Sequence, residues 1–260
     1  MKTVLQNFIA PFAIALIALL PVAARAGDIT MAVTYYTIAE SDQDMGHLAG
    51  GTFDNEVQTL LGPDGLPVLN TTAYGCLSNC FSSNNAPADV TGSGEITWWS
   101  PALNNGGAGS TSDVVQTGTG TVTLPYSNGS FYPANGGGSD DSSGFQAALF
   151  STTLDVPSAE SISFNVGADD VAFVYLDGSI VCDLGGVHGD TAGSCTSSTL
   201  SAGDHSLEVF YADLERTGAA LTFGVTTADI SGTPTPEPSS LILFGSALAG
   251  LATALRRRSR

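Results

Sequence analysis

A chain of 260 residues with 25 Asp and Glu against 7 Lys and Arg carries a formal charge of −18, and 43% of it is hydrophobic. Six of the seven cations lie near the termini and only Glu237 of the acidic residues does, so the stretch from Gly27 to about Gly232 holds Arg216 alone against 24 carboxylates, a net charge of about −23. Nothing in such a stretch could neutralise phosphates, which excludes nucleic acid as a partner, and an anionic polysaccharide would be repelled unless divalent cations bridged the two.

Residues 1–26 read as a secretory signal peptide. Lys2 gives a basic start, "FIAPFAIALIALLPVAA" an apolar core, and Ala24-Arg25-Ala26 a cleavage site before Gly27. Pro11 and Pro21 interrupt the apolar run, which suits cleavage better than spanning. Residues 27–231 are long enough for one well-cored domain. Helical periodicity is nearly absent from them, whereas β patterns recur at 28–38, 95–100, 120–126, 145–154, 160–166, 171–177, 179–184, 205–213 and 219–227. Ile162, Phe164 and Val166 alternate toward one side, as do Leu207, Val209 and Tyr211. Asp177-Gly178 between two such runs is a strong two-residue hairpin signal. Short strands separated by Gly, Ser, Asn and Asp loops predict an all-β fold, an antiparallel, jelly-roll-like β-sandwich.

Four cysteines in an exported chain point to two disulfides. Three connectivities are open; spacing favours Cys76–Cys80 and Cys182–Cys195, the second closing about fourteen residues and worth roughly 3 kcal/mol in the chain-entropy treatment. Zinc is the rival reading, but the histidines are not placed for it.

The C-terminal end has three parts in order: a linker over 232–240 containing Pro236-Glu237-Pro238, an apolar run over 241–255, and the basic tail 256–260. Fifteen residues at about 1.5 Å each fall short of a hydrocarbon core of about 30 Å, so Ser239 and Ser240 would enter a transmembrane helix too. The arginines would stay cytoplasmic. The order resembles the PEP-CTERM sorting signal. That resemblance implies an exosortase partner acting near Pro236-Glu237-Pro238, transient anchoring in the inner membrane, and a secreted or cell-surface product of a Gram-negative bacterium that makes exopolysaccharide.

The stretch "VGADDVAFVYLDGSIVCDLGGVHGD" (166–190) is dense in aspartate. A hard cation takes six to eight oxygen ligands and so needs clustered carboxylates on loops. The Asp177-Gly178 turn leaves about six residues on each side, which brings Asp170 and Asp183 toward one sheet end; Asp183 and Asp190 fall in the loop tied by Cys182 and Cys195. The same residues resemble the core of fibro-slime domains, with "LLGPDGLPVLN", "EITWWS" and "FYADLERTG" as further matches, although Leu214 is inserted before Glu215-Arg216. Fibro-slime domains are similar to the protective-antigen-type sugar-binding sandwich, in which an adjacent Asp-Asp pair holds calcium that contacts sugar hydroxyls. The resemblance implies calcium at Asp169 and Asp170.

Other residues carry two readings each. Asp183 is a calcium ligand or a loop cap. Gly185 and Gly186 supply positive φ in a tight loop or a bare backbone on which a sugar lies. His188 contacts a sugar or makes a structural hydrogen bond. Glu215 and Arg216 form an ion pair that orders their loop, or touch ligand. Trp98 and Trp99 face opposite ways on a strand, one in the core and one as a stacking platform. Scattered carboxylates without a groove give no basis for a glycosidase, and no nucleophile elbow is present, so an enzyme is not expected. The expectation is an exported protein that binds exopolysaccharide or another glycan with calcium in a biofilm matrix; the alternative is a structural matrix protein whose calcium serves folding.

Overall fold

The computed structural model describes residues 28–46, 51–53, 55–70, 89–106 and 111–234. The signal peptide, Cys76 and Cys80, Pro236-Glu237-Pro238, the 241–255 segment and the basic tail lie outside the described residues. Among the described residues the regular structure is all strand: β1 (Thr30–Ile38), β2 (Gly51–Phe53), β3 (Val114–Thr123), β4 (Tyr126–Asn128), β5 (Phe145–Val156), β6 (Glu160–Asp169), β7 (Val171–Leu176), β8 (Ser179–Val187), β9 (Thr191–Leu200), β10 (Gly203–Ala212), β11 (Ala220–Val225) and β12 (Ser231–Thr233).

These form two antiparallel sheets. The larger runs β2-β8-β7-β10-β5-β1-β3, with β12 also on β5; the smaller runs β4-β11-β6-β9. The central strands of the larger sheet are buried on both faces. On β7 every residue is buried: Ala172, Val174 and Leu176 face the smaller sheet's Phe164, Val166, Leu221 and Phe223, while Val171, Phe173 and Tyr175 face the other way. There they meet Val57, Leu66, Ile96 and both tryptophans, carried by residues 55–70 and 89–104. The alternation read at Ile162, Phe164 and Val166, and at Leu207, Val209 and Tyr211, places both sets in the inter-sheet core.

Three local expectations are corrected. Residues 95–100 are not a strand: Glu95 and Ile96 make isolated bridges to Val68 and Val90, and the chain then turns through Trp98-Trp99, with Ser100 N–H donating to Thr97 C=O. Both indoles are therefore buried, at 0% and 2% exposure, and neither is an exposed platform. They meet edge to face at 5.5 Å, and Trp99 meets Phe210 at 5.2 Å. Burying an indole removes about 200 Å² of surface, worth about 5 kcal/mol, and a turn lets both enter one core. Second, β9 carries no apolar alternation; it is a mostly polar edge strand on β6. Third, β8 continues through Gly185-Gly186 because β2 pairs there, Thr52 opposite Gly186 and Phe53 opposite Gly185. Asp183 therefore lies on a strand, opposite Phe173, rather than in a loop.

Cys182 and Cys195 are bonded, with Cα atoms 5.7 Å apart, and join β8 of the larger sheet to β9 of the smaller. The Asp177-Gly178 hairpin forms with φ of 50° and 71°, the positive values a type I′ turn requires.

Candidate functional site

Three crossovers between the sheets occur at one end of the sandwich: Asp169-Asp170 between β6 and β7, residues 188–190 between β8 and β9, and residues 213–219 between β10 and β11. The register confirms the shared end, since Ala212 pairs with Val171, Ala220 with Asp169 and Ala168 with Thr191. The turn after β1 and the turn before β5 reach the same end, Ile38 pairing with Phe145.

Asp170 is the knot that ties the crossovers together. Its Oδ1 accepts the His188 N–H at 2.7 Å, and its Oδ2 accepts the Leu214 and Glu215 N–H groups at 2.7 and 2.9 Å. Burial pushes its carboxyl up to about 7, against the pull of those backbone donors. The Asp169-Asp170 peptide is cis. Asp169 is half-buried at the rim, and its C=O accepts the Tyr211 hydroxyl at 2.6 Å. Burial raises its carboxyl, opposed by His188 and by the Asp190 N–H. A Cβ on Gly218 would collide with the Asp169 carboxylate, so only glycine leaves that side chain its position.

Around this pair stand further carboxyl groups, of which Asp141 also feels the Arg216 charge. Asp141 and Asp213 are 5% and 0% exposed, and no N–H or O–H reaches any of their four carboxyl oxygens. The two groups face each other, and a hydrogen bond between them needs a shared proton. Burial, then the Asp141 charge, lifts Asp213 well above the usual carboxylate range, and burial lifts Asp141 to about 6. Glu215 accepts the Arg216 N–H through Oε1 and keeps Oε2 buried without a donor. Arg216 is the sole Lys or Arg among the described residues. Its guanidinium pairs with Glu40 at 3.1 Å and lies over the Phe145 ring, so the expected Glu215–Arg216 ion pair does not form. Phe145 offers the flat apolar face that a guanidinium prefers, and Glu215 is held by the backbone instead.

The remaining residues singled out in the sequence divide. His188 is buried; Nδ1 lies 2.9 Å from the Gly189 C=O and Nε2 has no partner. Gly186 has φ of 99°, Gly185 does not share that conformation, and β2 covers both. Asp183 Oδ2 accepts the Val57 N–H at 3.0 Å. Its charge acts on Glu56, a fully buried side chain whose Oε2 accepts the Gly186 N–H and whose carboxyl burial lifts to about 8. Asp183 thus keeps company with Glu56, and Asp169 with His188, Asp190 and Glu215.

A third acidic group was not singled out in the sequence. Asp42, Asp44 and Asp89 each offer an oxygen within 4.8 Å of the others, a spacing that suits a metal ion. The Asp-x-Asp of "ESDQDMG" was a weak signal, and its third member comes from 45 residues away.

The fold is an all-β module with carboxyl groups gathered at one end of the sandwich. The PEP-CTERM protein-sorting motif matches residues 234–258, which marks the chain for export and implies processing by an exosortase. The sequence matches no curated protein. Among solved structures it is similar to a PA14 sugar-binding domain from an RTX adhesin (16% identity, TM-score 0.36, covering 78% of this chain and 95% of that one). It is also similar to the PA14 domain of the MpAFP antifreeze protein (12% identity, TM-score 0.34, 90% and 99%). A β-glucosidase from Kluyveromyces marxianus in complex with glucose matches at 16% identity and TM-score 0.27 over 33% of this chain, which spans 11% of that enzyme. Overlaps this loose leave the functional argument to the chain's own residues.

Proposed function

We propose that this exported sandwich binds carbohydrate through calcium held at the Asp169 rim, in the exopolysaccharide or biofilm matrix outside the cell. The observation that carries the reading is the arrangement around Asp170. Its own oxygens are occupied by three backbone donors, and that knot fixes Asp169 at a rim beside carboxyl oxygens that have no donor. A rim carboxylate with several acidic neighbours is an oxygen-rich setting for a hard cation, and a partly exposed calcium keeps positions open for hydroxyl groups. The resemblance of 166–190 to fibro-slime domains supports the same assignment. Asp169 is the principal ligand, with Asp170 beneath it and His188 held beside them by its backbone N–H on Asp170. Asp183, Gly185, Gly186 and Arg216 have no part in this reading.

The role is recognition and not catalysis. The test is a glycan array probed with the purified protein in about 1 mM calcium, the range of extracellular calcium modules, and again in chelator. Retention on neutral oligosaccharides in calcium, lost in chelator and lost in Asp169→Asn, is the expected outcome. Retention that ignores both would overturn it. The alternative of purely structural calcium is favoured by the depth of Asp42, Asp44 and Asp89, and it predicts no glycan retention under either condition.

A further inference from the structure

We propose that Asp42, Asp44 and Asp89 form a separate, buried calcium site that clips the turn following β1 to the segment beginning at 89. The three side chains are 4%, 0% and 0% exposed. Each is oriented by neutral donors. Asp42 Oδ1 accepts the Asp44 N–H at 2.8 Å, and Asp44 Oδ2 accepts the Asp89 N–H at 3.1 Å and the Trp98 indole N–H at 3.0 Å. Asp89 Oδ2 accepts the Asn104 amide at 2.6 Å.

Those donors fix the carboxylates without neutralising them. Asp42 Oδ2 and Asp89 Oδ1 are left buried with no donor, and the two side chains lie within reach of each other. A donor-less oxygen inside a protein forfeits its hydration, and two facing each other repel. Arg216, the sole Lys or Arg among the described residues, is committed to Glu40. Oxygens bound to one calcium at roughly 2.3–2.6 Å stand no more than about 5 Å apart, which the 4.8 Å limit satisfies. An all-oxygen, carboxylate-rich set favours a hard cation over zinc or copper.

Trp98 supplies a reporter. Its indole nitrogen touches Asp44, and Trp98 and Trp99 are the two tryptophans of the chain. Terbium, which replaces calcium, should emit when the protein is excited at the tryptophan band, and calcium should quench that emission by competition. The emission should persist in Asp169→Asn, which separates this site from the rim, and disappear when Asp42→Asn or Asp89→Asn is added. Wild-type protein without sensitised emission overturns the proposal, as does emission that survives both substitutions. Thermal melts give a second readout. If the cluster only traps protons, Asp42→Asn removes a buried repulsion and raises or preserves the melting temperature in calcium and chelator alike, which contradicts the proposal. A calcium site requires the opposite: in the Asp169→Asn background, where the rim no longer responds, Asp42→Asn melts lower in calcium and loses the remaining response to chelator.

Discussion

Three backbone N–H groups converge on the Asp170 carboxylate, and an amide cannot replace it. Asparagine would turn its NH₂ toward at least one of those donors. Asp170→Asn should cost about 3 kcal/mol in urea denaturation, the scale of a lost charge-assisted hydrogen bond plus an orphaned donor; a loss below about 1 kcal/mol would contradict the assigned role. At the opposite end, His205 Nδ1 meets Asp177 Oδ2 at 2.6 Å, and that hydrogen bond raises the imidazole above its usual 6.5. A raised folded-state value means the contribution is fully present below about 6.5 and fades as pH rises through the folded value. The wild type should therefore exceed His205→Gln in melting temperature below pH 6.5 and converge with it in alkali. Asp177 is half-exposed, so the gap should stay below about 1 kcal/mol. A gap that widens with pH would reverse the sign and refute the pairing.

The strands and crossovers carry the rim by position, and close approach between them is testable. Gly218, in the β10–β11 crossover, lies where a Cβ would strike the Asp169 carboxylate. Gly218→Ala should weaken calcium binding at the rim by calorimetry while leaving the melting temperature in chelator near wild type; unchanged calcium affinity would argue that Asp169 is not the ligand. The Cys182–Cys195 bond joins the sheets across a separation of 13 residues, so Cys182→Ala with Cys195→Ala should lower stability by about 3 kcal/mol. Legibility varied with how local the determinants were. The Asp177-Gly178 turn, the alternation on β6 and β10 and the 182–195 bridge all follow from neighbours in the chain. β9 escaped because a polar edge strand on a small sheet needs no apolar alternation, and Trp98-Trp99 misled because two buried aromatics were read as strand neighbours. Asp89 joins Asp42 and Asp44 only through tertiary contact. Asp141 and Asp213, which belong to different turns, meet in the same way.

At the scale of the whole molecule, the stretch from Gly27 to Gly232 carries a formal charge of about −23 with a single arginine, and several of its described carboxylates are deeply buried. That composition is costly in isolation, and the proposed calcium would offset it once the sorting motif has directed the chain to export. The two acidic groups are also linked: the Gly46 N–H donates to the Leu214 C=O at 2.7 Å, and the Leu214 N–H donates to Asp170. The turn holding Asp42 and Asp44 thereby braces the crossover that carries Glu215. The central claim concerns Asp169, and anomalous diffraction from crystals grown with calcium and a neutral hexose tests it most directly. The account predicts an anomalous peak at roughly 2.3–2.6 Å from the Asp169 carboxylate, with sugar hydroxyls completing its coordination. A bound hexose remote from Asp169, with no peak at that carboxylate, would contradict it.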